Sequence, residues 1–548
     1  MKKNITLIAI IFLSNYSTLI AQGPTFSWTR KVTNSGIIPG GIAIDTIRHF
    51  LYATGVCGSI VDFGQGQIVT SDNNVFLAKY DLAGTLIWTK IFTQDDPIAA
   101  KGIAVDFFGN VFITGNSECA TTTFGAKSIS NSHPKSKDYT VAYLCKLNSD
   151  GIPLWLKGST GGDGLGSNAV AVDKEGNAFI TGYEVYPQGN GTFEGFAITS
   201  GGAFFMKFNK DGVGQWFKET KGNGPLLTAS GDLLAIDRDG NCIAAGTYFT
   251  AYANFGSIVL PNEAVNSNWG FVTKINSTNG EFSWALGSGI PEGQCKYTGL
   301  TMGFDKKIYL SGARSVYANV GSTDTEYKQF LEEVNTYGVS QRAEYFKTQS
   351  LSSNFYLASN KKAEIFMSVN IFNDTIQYGN EFLSSRGYNQ IMGFVKADSS
   401  GKVLNSIANS NTSIGNLVNC YGIAADSSGN VYMIGTLSGT NIFGNTSITA
   451  NSDMVIVKIA GGKTPTGLQE KTEKNGFLIY PNPVSDVLTI VLNSQIKPSK
   501  VEVYNALGEI VLSAQNQSTL DVSELLTGIY TVKIKTEEKY FSQRMIKQ

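Results

Sequence analysis

Only two histidines, His49 and His133, and six cysteines occur among 548 residues, so the side chains that most often carry catalysis are scarce. His49 precedes an apolar run and His133 lies in the polar stretch Ser-Asn-Ser-His-Pro-Lys-Ser-Lys; neither stands at ligand or nucleophile spacing from a partner. No His-Glu-x-x-His, Gly-x-Ser-x-Gly elbow, Walker loop or Cys-x-x-Cys is present. That argues against zinc hydrolysis and histidine-based acyl transfer, and calls for no cofactor and no metal. Asp237-Arg-Asp-Gly-Asn241 opens like a calcium loop but lacks the downstream glutamate, and a hairpin turn explains it. Gly161-Gly-Asp-Gly-Leu-Gly166 looks like a phosphate loop, yet a strand, Ala169 to Val172, follows it instead of a helix. The chemistry still open is a carboxylate pair of the glycosidase kind, whose members need no fixed spacing along a chain.

These residues are set in a unit of about sixty residues that recurs along the chain. Its clearest copies read Asp106-Phe-Phe-Gly-Asn-Val-Phe-Ile-Thr-Gly115, Asp173-Lys-Glu-Gly-Asn-Ala-Phe-Ile-Thr-Gly182, Asp237-Arg-Asp-Gly-Asn-Cys-Ile-Ala-Ala-Gly246 and Asp426-Ser-Ser-Gly-Asn-Val-Tyr-Met-Ile-Gly435. Each copy holds four strand signals: two around the Asp-bearing turn, a third such as Val141 to Leu147, and a fourth around a tryptophan such as Trp155. First-strand aspartates at Asp45, Asp106, Asp173, Asp237, Asp305 and Asp426, with a degenerate copy around residues 363–401, make seven copies. The last copy stops after Met454 to Ile459, and Phe26-Ser-Trp28-Thr near the start matches the missing fourth strand, Leu86-Ile-Trp88-Thr. The expected fold is therefore all-β: a seven-bladed β-propeller over residues 22–460, closed by the N-terminal strand, which removes an open sheet edge.

Lys79, Lys146, Lys207, Lys274, Lys396 and Lys458 recur in the third strand, and tryptophans in the fourth. A residue present in nearly every copy serves something every copy needs, so structural bonding and packing are expected of both. Cys145 and Cys242 stand where other copies carry core residues, which predicts buried free thiols. Cys57 and Cys119 follow the same strand in consecutive copies, so a Cys57–Cys119 disulfide is the one bridge the repeat brings within reach. Loops between second and third strands are long and varied while the others on the opposite face are short. Recognition is expected on that long-loop face or at the channel mouth. Asp-x-x-Gly-Asn turns, Phe-Gly excursions, a lysine-bearing strand and a tryptophan strand together resemble the bacterial seven-bladed β-propeller repeat (SBBP) family. The resemblance covers about residues 24–460 and implies fold much more than activity.

Beyond a polar linker, residues 461–476, short strand signals crowd about seventy residues, as in a small Ig-like β-sandwich. The segment reads Tyr480-Pro-Asn-Pro-Val-Ser-Asp486, Val503-Tyr-Asn-Ala-Leu-Gly-Glu-Ile-Val511 and Leu525-Leu-Thr-Gly-Ile-Tyr-Thr-Val532, with basic Arg544 and Lys547 at its end. It is similar to the type A C-terminal sorting domain of Bacteroidetes type IX secretion cargo. Over residues 477–548 that resemblance implies a sorting motif of Pro481, Asn482, Pro483, Gly508, Gly528, Tyr530, Arg544 and Lys547, recognised by the outer-membrane translocon.

Residues 1–21 have a charged start, an apolar run Ile5 to Leu13 and small residues before Ala21, which predicts a signal peptide cut between Ala21 and Gln22. No segment is long and apolar enough for a transmembrane helix. Net charge is −1 and charged residues make up 16%, which offers no electrostatic footprint for nucleic acid. The expected function is a secreted or surface-attached, non-catalytic scaffold that binds a glycan or protein. A polysaccharide- or peptide-degrading enzyme using carboxylates on the long-loop face, and a structural envelope protein, are the alternatives.

Overall fold

The computed structural model describes residues 24–461 and 477–548, except 35, 132–139, 161–162, 187–190, 224–227, 263–267, 290–292, 318–324, 349–354, 373, 386–389, 412–415, 481, 493–498, 506–508 and 536–539. Two compact units divide the chain, Met1–Lys463 and Thr464–Gln548. Every regular element among the described residues is a strand. In the first unit, Ile38–Asp45, Phe50–Cys57, Asn74–Asp81 and Leu86–Thr93 form an antiparallel sheet in that order. The same four-strand order recurs from Ile98, Asp163, Ala229, Gly293 and Leu357. In the seventh set, Leu417–Ala425, Val431–Phe443 and Thr446–Ala460 are joined by Thr25–Asn34 from the other end of the chain. The register pairs Trp28 with Lys458 and Val32 with Met454. Each set's first strand packs against the next set's, and that of the seventh packs against that of the first.

Burial explains the sequence pattern. Second and third strands lie between neighbouring sheets, so Val141–Leu147 is buried throughout and reads as one apolar run. The Asp-x-x-Gly-Asn segments are turns closed by the aspartate. One oxygen of Asp106 accepts the amides of Phe108 and Asn110 at 2.9 and 2.8 Å, and Gly109 adopts φ +86°. At Asp237 the second oxygen lies 2.8 Å from the Lys274 ammonium, so the calcium-like segment already has its cation.

The recurring lysine and tryptophan staple adjacent sheets together. Lys146 Nζ and Trp155 Nε1 of the second sheet both donate to the Lys210 carbonyl of the third, at 2.9 and 3.3 Å. Lys207 and Trp216 converge on the Ser277 carbonyl at 2.9 and 3.0 Å, and Lys458 and Trp28 on that of Leu82 at 2.9 and 3.2 Å. The receiving turn carries a left-handed glycine under the indole; a Cβ on Gly212 would stand 2.9 Å from Trp155. In the fifth sheet Glu333 and Arg342 occupy the lysine and tryptophan positions. There the charge is reversed: Lys307 supplies the cation to Glu333 at 2.8 Å, and the Tyr309 hydroxyl reaches the Ser399 carbonyl of the sixth sheet at 2.9 Å. Trp216→Phe alone should cost about 1 kcal/mol, because Lys207 still holds the carbonyl. Adding Lys207→Met should bring the loss to about 3 kcal/mol, more than the single changes sum to. Urea unfolding of the four proteins measures this, and strict additivity would refute a shared acceptor.

The long excursions are not free loops. Several fold as hairpins, such as Thr121–Phe124 with Lys127–Ser130 and Tyr252–Phe255 with Ile258–Pro261. Phe124, Phe255 and Tyr378 at the hairpin tips are fully buried. The hairpins also bond to the outer strand of the preceding sheet: Phe193 pairs with Ser159, and Asp62 with Thr33. Much of the excursion length therefore covers sheet edges.

All six cysteines are buried and free. The expected Cys57–Cys119 bridge is not made. Cys57 packs in an apolar cluster with Val32, Val61 and Met454, where burial pushes its thiol up to about 12, while Cys119 Sγ bonds the Asp96 carbonyl at 3.2 Å. Following the same strand in successive copies puts the two thiols in different sheets, each in its own packing environment.

In the second unit, Phe477–Tyr480, Val487–Leu492 and Thr519–Asp521 form one sheet. Lys500–Tyr504, Ile510–Gln515, Gly528–Lys535 and Tyr540–Lys547 form another. Leu488, Ile490, Val503, Val532 and Met545 from both sheets share one core.

Candidate functional site

The first strands of all seven sheets line a cavity of about 620 Å³, a size typical of small-molecule sites. Six of those strands carry a β-bulge at the same place, which leaves Gly40, Lys101, Asn168, Asp232, Thr298 and Tyr421 without a ladder partner. A bulge re-aims a side chain without shifting the core register. The aligned segments read Gly40-Gly-Ile-Ala, Lys101-Gly-Ile-Ala, Asn168-Ala-Val-Ala, Asp232-Leu-Leu-Ala, Thr298-Gly-Leu-Thr and Tyr421-Gly-Ile-Ala. Tyr356-Leu-Ala-Ser stands at the corresponding place in the sixth sheet. These bulged positions lie mid-strand, from the third to the sixth residue of strands eight to ten residues long. Two residues further on, Ile42, Ile103, Val170, Leu234, Leu300 and Ile423 make the cavity apolar. Lys101, Asn168, Asp232, Tyr356 and Tyr421 of this ring thus set polar side chains above an apolar floor, while Gly40 has none and buried Thr298 donates to the Phe355 carbonyl at 3.1 Å.

One hydrogen-bonded chain crosses the ring. Lys101 Nζ donates to Asn168 Oδ1 at 3.0 Å and lies 5.3 Å from the centre of the Tyr183 ring. Asn168 Nδ2 donates to Asp232 Oδ1 at 3.1 Å, and Ser230 Oγ donates to the same oxygen at 2.7 Å. Asp232 is half-buried in the cavity wall, and protein surrounds that space. Desolvation raises its carboxyl above the usual range, against the pull of the Ser230 hydroxyl and of Lys296 and Lys101. Desolvation likewise lowers Lys101, opposed by Asp232. Lys296 is exposed at the rim. Asp232 is the single carboxylate among the described lining residues. The other raised carboxyl, Glu332, accepts from Ser340 Oγ at 2.7 Å and Tyr297 OH at 3.3 Å and does not line the cavity. The usual glycosidase arrangement sets two carboxyl groups across the scissile bond, and the described lining residues hold one.

None of the ring residues was singled out by motif, since no motif contains them. The signal was present as the residue preceding Gly-Ile-Ala, which differs between copies where its neighbours repeat. His49 lies in the first Asp-bearing turn with φ +62°, its amide bonded to the Asp45 carbonyl at 2.8 Å. His133, Ala21, Gln22, Pro481 and Gly508 lie outside the described residues. In the second unit, Asn482 Oδ1 accepts the Ile546 amide at 2.8 Å, and Val484 bridges to Lys547, so the Asn482-Pro483 segment lies against the last strand. Gly528 pairs with Lys547 and Thr531 with Arg544, while Tyr530 OH donates to the Leu526 carbonyl at 2.7 Å.

Residues 478–548 match the model of the secretion system C-terminal sorting domain, and residues 87–118 and 413–443 match that of the β-propeller repeat. The chain carries propeller repeats and a type IX sorting tail. The tail marks the protein as secreted or attached to the cell surface, and implies interaction with the type IX secretion machinery. A WD repeat-containing protein, L264, of Acanthamoeba polyphaga mimivirus is 25% identical over 222 residues, 35% of this chain but 15% of the viral one. Among solved structures, the RRP9 WD40 repeats align with a TM-score of 0.42 at 9% identity, over 80% of this chain and 99% of that one. The polysaccharide lyase Uly1 aligns at 0.40 and 11%, over 82% and 94%. No helix among the described residues is long and apolar enough to cross a membrane.

Proposed function

We propose that this exported propeller protein is a non-catalytic binding scaffold whose ligand, a glycan or a protein, is taken at the cavity mouth. In this reading residues 22–460 form a seven-bladed ring closed by Thr25–Asn34, after a signal peptide at 1–21. A linker at 461–476 leads to an Ig-like sandwich, 477–548, whose Asn482, Pro483, Gly528, Tyr530, Arg544 and Lys547, with Pro481 and Gly508, are read by the translocon. One observation carries the binding role: the ring of bulged positions holds a different side chain in nearly every sheet, while the scaffold around it repeats. Residues kept for folding recur; residues kept for a ligand need not.

The single lining carboxylate supports binding over hydrolysis. Applied to an array of glycans and envelope proteins, the full mature chain should bind one class saturably and leave it uncut. Asn168→Ala with Tyr421→Ala should remove at least about nine-tenths of that binding, as loss of central contacts does. Cleavage of an arrayed polymer, or binding untouched by both changes, would refute the proposal.

A further inference from the structure

We infer that the cavity mouth is an anion site, and that its ligand presents a carboxylate to Lys101 and Lys296 while its body rests on the apolar floor. This rests on the reading of the mouth as the binding site and adds the chemistry of what enters. Three observations support it. First, the described lining residues carry two ammonium groups and one carboxylate, a local excess of positive charge in a protein of net charge −1. Second, Asp232 is already committed: it accepts from Asn168, Ser230 and, at 3.4 Å, Thr247, so its oxygens are turned to neighbours. Lys101 bonds only the Asn168 side chain, which leaves donor N–H groups for a ligand, and Lys296 has no hydrogen-bond or ion-pair partner among the described residues. Third, Ile103, Val170, Leu234 and Ile423 below the ring suit a compact apolar or ring-shaped body, not a second ion. In a walled cavity charge is screened less than on an open surface, so two ammonium groups there attract an anion from a distance.

Two sources supply such a carboxylate: an acidic sugar residue of a polymer, and a free organic acid. Calorimetric titrations of the full mature chain with trigalacturonate, with the neutral trisaccharide maltotriose and with benzoate separate them. Saturable binding of trigalacturonate or benzoate, but not maltotriose, is expected, and which of the two binds names the source. Lys101→Met and Lys296→Met should each weaken it about tenfold or more, and raised ionic strength should weaken it further. Asp232→Asn should tighten it, because Asn keeps an acceptor for Asn168 and Ser230 while the opposing charge is gone. Opposite signs for the lysines and the aspartate are not produced by a merely structural role. Lys296 is exposed, so its variant folds and the test survives any folding defect at Lys101. Maltotriose binding that Tyr421→Ala abolishes and the lysine variants ignore overturns the anion inference while leaving the mouth as the site. No binding of any probe by a wild-type chain that melts cooperatively overturns the anion inference as well.

Discussion

Removing residues 24–34 is expected to leave the propeller unit unable to fold cooperatively. The segment supplies a whole strand, paired with Met454–Ala460, and its Val32 is fully buried beside Leu51, Met454 and Ile456. Its loss would expose the edge of the Thr446–Ala460 strand to other chains and leave the Leu82 carbonyl with one of its two donors. Domains are stable by only about 5–15 kcal/mol, and losing a strand with its share of core removes a large part of that. Soluble yield should collapse, or the melting point should fall by roughly 10 °C or more. Trp28→Ala is the graded version. It empties the space above Gly84, whose added Cβ would stand 2.9 Å from the indole, and should cost about 3 kcal/mol. A truncated protein that melts with the intact one would falsify the closed ring.

The second large effect concerns export. Cutting the chain before residue 477 should trap the protein in the periplasm of its own cell type, still folded. The first unit keeps all its sheets in such a truncation, and the removed unit has its own core from Ile479 to Met545. Fractionation with protease shaving of intact cells should find almost none of the truncated form at the surface. Attaching residues 470–548 to a periplasmic reporter should carry that reporter out. A tail-less protein that reaches the surface as efficiently as the full chain would overturn the role given to this unit.

Local geometry was what the sequence revealed most plainly. Asp106, Gly109 and Asn110 write one turn completely, because its bonds run within five residues, so the turn repeats as a word. Lys146 and Trp155 recur because every sheet must hold its neighbour, and their structural role could be read from recurrence alone. Three features escaped for the opposite reason. The excursion hairpins look like loops because their strands run only two to four residues, and the outer pairing, such as Phe193 with Ser159, is made to another repeat. Cys57 and Cys119 occupy like places in successive copies, which makes them analogous but not adjacent. The ring residues escaped because motif searches reward sameness, and Lys101, Asn168 and Asp232 are informative by differing. In the fifth sheet Glu333 stands at the lysine position and Lys307 at that of the turn's asparagine, so an ion pair persists while its letters change.

The unpaired bulge residues have an evolutionary consequence. Since Lys101, Asn168 and Asp232 have no ladder partner, exchanging one for another leaves the surrounding strand pairs intact. On the proposed reading, descendants of one ancestor would change what they capture by point substitutions at these three loci, re-forming the bonds among them while the ladder around them stays whole. Gly40 is closed to that route, because a Cβ there would collide with the Ala100 carbonyl.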